Sequence, residues 1–100
     1  MQIKLIGSAK LDLREIAKHY RDVGGNPLAL RMIRLIRSDI ELLAKNPKIA
    51  PPYELVPDVH RYVIADGAYL AFYRVRTHIE VLHVRRSERA PVSEEEIGTL

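Results

Sequence analysis

The strongest constraint on the fold is a set of three β-prone segments in the second half of the chain. They cover residues 59–65, 68–76 and 79–86, and Asp66-Gly67 lies between the first two. Val, Ile, Tyr, Phe and Leu dominate all three, and such side chains suit a pleated, half-buried surface. Asp-Gly between two segments of this kind predicts a tight hairpin turn, because the turn needs positive φ at its centre. The sequence therefore predicts a three-stranded antiparallel meander.

Two helices are predicted ahead of the meander. Ser8 is suited to cap the first, and apolar residues then recur on one helical face. We expect Gly24-Gly25 to end it, since glycine adopts the left-handed conformation at low cost. Asn26-Pro27 is then a suitable start for the second helix, because proline loses nothing at the first helical position. The two helices are therefore expected to form an antiparallel hairpin.

The remaining elements complete an α+β fold. The second helix should end at Asn46-Pro47, and the proline-rich stretch 48–58 is expected to be an irregular loop. A short strand is predicted over residues 2–6. The order is β-α-α-β-β-β, with the helix hairpin packed on one face of a mostly antiparallel sheet.

Length and composition exclude several classes of protein. One hundred residues allow one domain, placed here at 1–90, followed by an acidic tail at 91–100. The absence of cysteine excludes disulfides and thiolate metal ligands. No apolar segment approaches the ~20 residues that span a bilayer, and the amino terminus does not resemble a signal peptide. We therefore expect a cytoplasmic protein without a cofactor or a metal.

The positive charge is unevenly distributed. The formal net charge is +3, and arginine is concentrated in residues 60–89. A basic sheet suggests an anionic partner, either nucleic acid or an acidic protein segment, although a solvated basic surface is the alternative.

Alternation along the last strand predicts which side chains share a face. It places Leu82 and Val84 on one face and Val81, His83 and Arg85 on the other. We expect the arginine-bearing face to be open, because helices cover only one side of such a sheet. Arg86, at the strand end, could point either way.

Several side chains of the meander are candidates to meet the target. They are Arg61, Tyr73, Arg74, His83, Arg85 and Arg86, with Arg89 just beyond them. Arginine can bind a phosphate through two hydrogen bonds, and histidine titrates near neutral pH and could move a proton. For Arg74 the alternative is an internal ion pair with Glu80.

A second apolar stripe on the second helix consists of Leu28, Leu35 and Leu42. The apolar face is then wider than one neighbouring helix would cover. The stripe is either buried against the first helix and the sheet or in contact with a partner chain.

The order of several motifs resembles a known family. The residues concerned are Ala9, Asp12, Leu13, Ile16 and Tyr20 in the first helix, Ile36, Ile40, Leu43 and Asn46-Pro47 in the second, and Val59-His60-Arg61, Tyr69 to Val75 and Ile79 to Val84 in the strands. In these features the chain resembles the RelE/ParE superfamily of type II toxins, nearer the ParE (plasmid stabilisation) branch. The resemblance covers residues 3 to about 90.

The resemblance implies a bacterial toxin that inhibits growth and is neutralised by a cognate antitoxin in a hetero-oligomer. ParE-like members are similar to gyrase poisons, whereas RelE-like members cut messenger RNA in the ribosome. The antitoxin is expected to cover apolar surface, for which Leu28, Leu35 and Leu42 are the candidates, and to add to a sheet edge.

The resemblance also bears on catalysis. Arg61, His83 and Arg86 are the candidates if the chain is a ribonuclease. The position where many relatives carry histidine corresponds to Arg86, and an arginine cannot act as an ordinary base. We therefore favour a toxin that binds DNA gyrase. A ribosome-dependent endoribonuclease and a degenerate, non-toxic binding module are the alternatives.

Overall fold

The fold is known from a computed structural model, which describes residues 1–87. The predictions for Arg89 and for the acidic tail 91–100 concern residues outside this part. The elements are β1 (Ile3–Leu5), α1 (Gly7–Glu41), a 3-10 turn (Leu42–Ala44), β2 (Pro52–Tyr53), β3 (Val56–Ile64), a second 3-10 turn (Ala65–Gly67), β4 (Tyr69–Val75) and β5 (Ile79–Arg86).

The helical segment α1 is broken at Gly25, where φ is 81° and ψ is 179°. A straight helix of this length would be about 52 Å long, whereas the longest dimension of the molecule is 37 Å. Lys10 and Leu13 of the first arm line one groove together with Ile33 and Arg37 of the second. The two arms therefore lie side by side, which confirms the predicted helix hairpin.

The amino terminus of α1 differs from the prediction. The helix begins at Gly7, and the extended residue Ile6 stands at the capping position without a side-chain hydrogen bond. The prediction that Ser8 caps this helix was wrong. The turn is held instead by the backbone, because the N–H of Ala9 donates to the carbonyl of Ile6 at 2.7 Å.

The five strands form one sheet in the order β1-β5-β4-β3-β2. Strands β3, β4 and β5 pair antiparallel, which confirms the meander. β1 pairs with β5 in parallel and makes the sheet mixed. The stretch 48–58 is not wholly irregular as predicted, since Pro52–Tyr53 pairs with β3 and β3 itself begins at Val56.

A β-bulge interrupts the pairing of β4 with β5. Phe72 pairs with His83, but the next residue, Tyr73, pairs with Val81, so Leu82 is an extra residue in β5. An extra residue shifts the alternation of side chains beyond it. Val81 and Val84 consequently belong to the same apolar cluster, and Leu82 belongs to a different one. The predicted division of this strand was therefore wrong for Val81 and Leu82. Val84 lies on the helix side as predicted, and Arg85, which pairs with Leu70, lies on the other side as predicted.

The sheet has an apolar cluster on each face. On the helix side, Ala71 and Tyr73 pack with Ile36 and Ile40 of α1. On the outer side, Tyr53, Val59, Phe72 and Leu82 form a second cluster, whose members are all buried. The outer face is therefore partly apolar and covered, whereas we predicted an open basic surface.

The β3–β4 connection is longer than the predicted two-residue turn. Ile64 pairs with Tyr69, which leaves four residues between them. Ala65 and Asp66 have φ values of 53° and 55°, and such values are uncommon for residues other than glycine. The N–H of Ala65 donates to the Asp39 carboxylate of α1 at 2.7 Å, so the helix holds this turn in place.

Replacing Gly25 by alanine tests the break in α1. The combination of positive φ and extended ψ at Gly25 is essentially restricted to glycine, and we expect Gly25→Ala to lower the free energy of unfolding by ~1–3 kcal/mol. Gly7→Ala adds the same methyl group where nothing lies within 4 Å, and it should be close to neutral. Urea denaturation of both variants is the measurement, and equal stability would contradict the assigned break.

Candidate functional site

The candidate arginines do not form one surface. The register places Arg61 opposite Phe72 and Arg85 opposite Leu70, on the outer face of the sheet. Arg86 pairs with Tyr69, whose side chain belongs to the helix-side cluster. The meander therefore presents Arg61 and Arg85 on one face and directs Arg86 to the other.

Arg61 borders a groove on the outer face. The groove has a volume of about 510 Å³ and is lined by Pro51, Pro52, Tyr53, Glu54, Leu55, Arg61, Leu70, Phe72 and Ser87. Its walls are mainly apolar, and among the described residues they carry one cation, Arg61, and one carboxylate, Glu54. Such a groove suits a partner segment that combines apolar side chains with an acidic group.

Arg85 is half-buried on the same face but does not adjoin Arg61. The two residues are on β5 and β3, with β4 between them, so their backbones are about 10 Å apart across the sheet. Nη2 of Arg85 lies 3.4 Å from Nδ1 of His83. Two arginines in this arrangement suit acidic or phosphate groups on an extended partner.

Arg74 forms an internal ion pair. Its Nε contacts Oε1 of Glu80, and the two residues are directly opposite each other in the sheet. Nε2 of His78 lies 3.2 Å from the other oxygen of Glu80. The hydrogen bond from Arg74 is the main cause that lowers the pKa of Glu80 below its usual value of 4.5. Arg74 therefore forms the internal ion pair with Glu80 that was the alternative to target binding.

His83 is buried rather than exposed for catalysis. It is 3% exposed. Its Nδ1 lies 3.6 Å from Oδ2 of Asp12, and the same oxygen accepts a hydrogen bond from the N–H of Val84 at 2.9 Å. A general base must reach the proton that it removes. The structure therefore contradicts a role for His83 at the surface, either in proton transfer or in target binding.

Tyr73 was predicted to bind the target but lies in the core. It is fully buried, and its hydroxyl donates to the carbonyl of Pro47 at 2.8 Å. Its ring stacks on His60, with centroids 5.0 Å apart. Burial is the main cause that raises the pKa of Tyr73. The residue therefore anchors the loop after α1 and has no surface to offer to a target.

Arg86 lines a separate pocket. No functional role was predicted from the sequence for the other residues of this pocket. His19, Tyr20, Ala68 and Tyr69 line this pocket with Arg86. Tyr20 and Tyr69 are 49 positions apart, and their hydroxyls are 3.1 Å apart. No local motif signals this arrangement, because it depends on how the first arm of α1 crosses the strand ends.

The three leucines of the second stripe differ in environment. Leu35 packs against the main core, and Leu28 is half-buried beside Gly24. Leu42 is 54% exposed in the 3-10 turn after α1. Nearby, the amino-terminal ammonium of Met1 donates to the carbonyl of Ala44 at 2.8 Å. Only Leu42 of the three therefore presents most of its side chain to a partner.

Two further findings concern residues 1–87. In this range no cluster of three or more His, Asp or Glu side chains is arranged to hold a metal ion. None of the helices in the same range combines the length and the apolar character needed to cross a membrane.

The ion pair of Glu80 makes stability depend on pH. Because the folded-state pKa of Glu80 is lowered, its stabilisation is present above pH 4.5 and is lost as the pH falls through the folded value. We expect Glu80→Gln to be less stable than the parent protein at pH 7 and the difference to shrink in acid. Chemical denaturation between pH 7 and pH 3 measures it, with Glu41→Gln, at an exposed helix carboxylate, as the control. A constant difference would show that the charge on Glu80 is not the cause.

Comparisons with known proteins place this geometry in a family. The family described as "ParE toxin of type II toxin-antitoxin system, parDE" matches residues 3–91. Among solved structures, the chain is similar to one titled "Chromosomal ParDE TA system from P. aeruginosa", with 28% identity and a TM-score of 0.78. That alignment covers 88% of this chain and 97% of the other. Among curated proteins no match is found. Since the family match spans every strand and helix described above, the chain belongs to the ParE toxin family of type II toxin–antitoxin systems.

Proposed function

We propose that this chain is a toxin that inhibits growth by binding DNA gyrase and that a cognate antitoxin neutralises it. Membership of the ParE family is the observation that carries this proposal. The solved relative comes from a ParDE system, which supports an antitoxin as partner. The toxin would act in the cytoplasm, where its target is found.

The outer face of the sheet supports binding rather than cleavage. Arg61 is exposed beside the groove, and Arg85 lies two strands away on the same face. Both cations suit acidic or phosphate groups on an extended target surface. The burial of His83 leaves this face without the histidine that a ribonuclease mechanism would use. Gyrase binding is therefore favoured over cleavage of messenger RNA.

The antitoxin is assigned to a different region, around Leu42 and the edge strand β1. β1 is an outer strand of the sheet, and an outer strand can pair with an added segment. Leu42 lies in the same 3-10 turn whose Ala44 carbonyl binds the amino terminus just before β1. An antitoxin segment could therefore add to β1 and cover Leu42 with an apolar side chain.

Charge reversal on the outer face tests the gyrase proposal. We expect Arg61→Glu combined with Arg85→Glu to abolish growth inhibition and to weaken gyrase binding about tenfold or more, because charge-assisted contacts are lost. Arg76→Glu is the matched control, since Arg76 is also exposed and lies just beyond the end of β4, outside the groove. The measurements are growth after induction, supercoiling by purified gyrase, and thermal unfolding of each variant.

The same induction experiment separates the alternatives. If translation stops and transcripts acquire new 5′ ends within codons while supercoiling is unchanged, the chain is a ribonuclease and the gyrase proposal is wrong. If induction without the antitoxin does not slow growth at all, the chain is a non-toxic binding module.

Replacing Leu42 by glutamate tests the antitoxin surface. Burial of a leucine contributes ~1.5–3 kcal/mol, so we expect Leu42→Glu to weaken antitoxin binding about tenfold to a hundredfold. Toxicity without the antitoxin should be retained. Val23→Glu is the control, because Val23 is also exposed, at 67%, and lies near the turn between the two arms. Calorimetric titration of the antitoxin measures the effect. Unchanged affinity for Leu42→Glu would show that the interface lies elsewhere.

A further inference from the structure

A small pocket lies on the helix side of the sheet, away from Arg61 and Arg85. It has a volume of about 180 Å³ and is lined by His19, Tyr20, Ala68, Tyr69 and Arg86. Pockets for whole small molecules usually have volumes of ~300–1,000 Å³. This one therefore suits a single chemical group whose remainder stays outside.

The side chains that line the pocket are hydrogen-bond donors. The Tyr69 hydroxyl donates to the Tyr20 hydroxyl, so the proton of Tyr20 remains to be donated elsewhere. The guanidinium of Arg86 is a donor beside the Tyr69 hydroxyl. Burial and the hydrogen bond with Tyr20 raise the pKa of Tyr69 to about 12, and a tyrosine hydroxyl is protonated at neutral pH even without such a shift. His19 can add a ring N–H.

Among the described residues that line the pocket, Arg86 is the one that carries a full charge. None of these described residues carries a carboxylate. Within residues 1–87, Arg86 forms no ion pair with an acidic side chain, in contrast to Arg74. Two basic residues, Lys18 and Arg21, and two acidic residues, Glu15 and Asp22, are near His19 on α1, and none of the four lines the pocket. The group that fits is therefore an anion.

The wall formed by the β3–β4 connection is held in place. The Asp39 carboxylate binds the N–H of Ala65 at 2.7 Å, and Oγ of Ser87 donates to the Gly67 carbonyl at 2.6 Å. The N–H of Ser87 also donates to the Ala68 carbonyl. These bonds fix the end of β5, and with it Arg86, relative to α1. A site whose donors are already in position loses less free energy when it binds a ligand.

We propose that the pocket of His19, Tyr20, Tyr69 and Arg86 binds a phosphate group, presented by a nucleotide or by a nucleic-acid backbone. A phosphate offers several oxygens to donors that approach from different elements, whereas a carboxylate offers two. The small volume admits the phosphate and leaves the sugar and base outside. This site lies on the opposite face from Arg61 and Arg85, and it does not depend on whether gyrase is the target.

NMR titration of the full-length, ¹⁵N-labelled chain tests this proposal. The probes are inorganic phosphate, a nucleoside monophosphate, a single-stranded oligonucleotide and, as a carboxylate, acetate. We expect phosphate to shift the amide signals of Ala68 and Tyr69 and the Nε–H signal of Arg86, and acetate to bind at least about tenfold more weakly. Tighter binding of the oligonucleotide than of the monophosphate would identify a polynucleotide as the source. Equal binding would identify a free nucleotide.

Two variants and a control make the assignment specific. Arg86→Gln should weaken phosphate binding about tenfold or more, and Tyr20→Phe, which removes only a hydroxyl, about threefold to tenfold. Arg76→Gln removes an exposed arginine outside the pocket and should change the affinity less than about twofold. Dispersed amide spectra verify that each variant is folded. Equal responses to acetate and phosphate, or an affinity that neither Arg86→Gln nor Tyr20→Phe lowers, would overturn the proposal.

Discussion

Two aspartates of α1 attach the helix hairpin to the backbone of the sheet. Asp12, on the first arm, accepts the N–H of Val84, and Asp39, on the second arm, accepts the N–H of Ala65. Each carboxylate thereby satisfies a polar backbone group that would be costly to bury without a partner. Apolar packing holds the layers together without fixing their register, whereas these two directional bonds determine where the helices lie along the strands.

The bulge at Leu82 lies two residues before Val84, whose N–H donates to Asp12. With one extra residue in β5, Val81 and Val84 both reach the helix-side core, and Leu82 fills the cluster on the outer face. His83 lies opposite Phe72, and its Nδ1 is near the carboxylate of Asp12. Because this histidine is buried, it supports binding rather than cleavage as the role proposed for the outer face.

The arginines of the meander consequently have separate tasks. Arg74 forms an ion pair with Glu80, and the pair contributes to the stability of the sheet. Arg61 and Arg85 face outward, where a gyrase surface is proposed to bind. Arg86 closes a donor-lined pocket on the other side. On these proposals, a small toxin would present two distinct anion-binding surfaces on opposite faces of one sheet, and its edge strand would remain for an antitoxin.

The sequence by itself determined the order of elements, the hairpin break at Gly24-Gly25, the meander and the family. These features depend on local conformational preferences and on periodicity, which act between near neighbours in the chain. Only the tertiary structure decided which face each candidate side chain occupies. Alternation predicted an exposed His83, but the side chain is buried opposite Phe72, and its Nδ1 lies near a carboxylate 71 positions earlier in the chain. The pocket of Tyr20, Tyr69 and Arg86 likewise arises from contacts between distant segments, and no local pattern encodes such contacts.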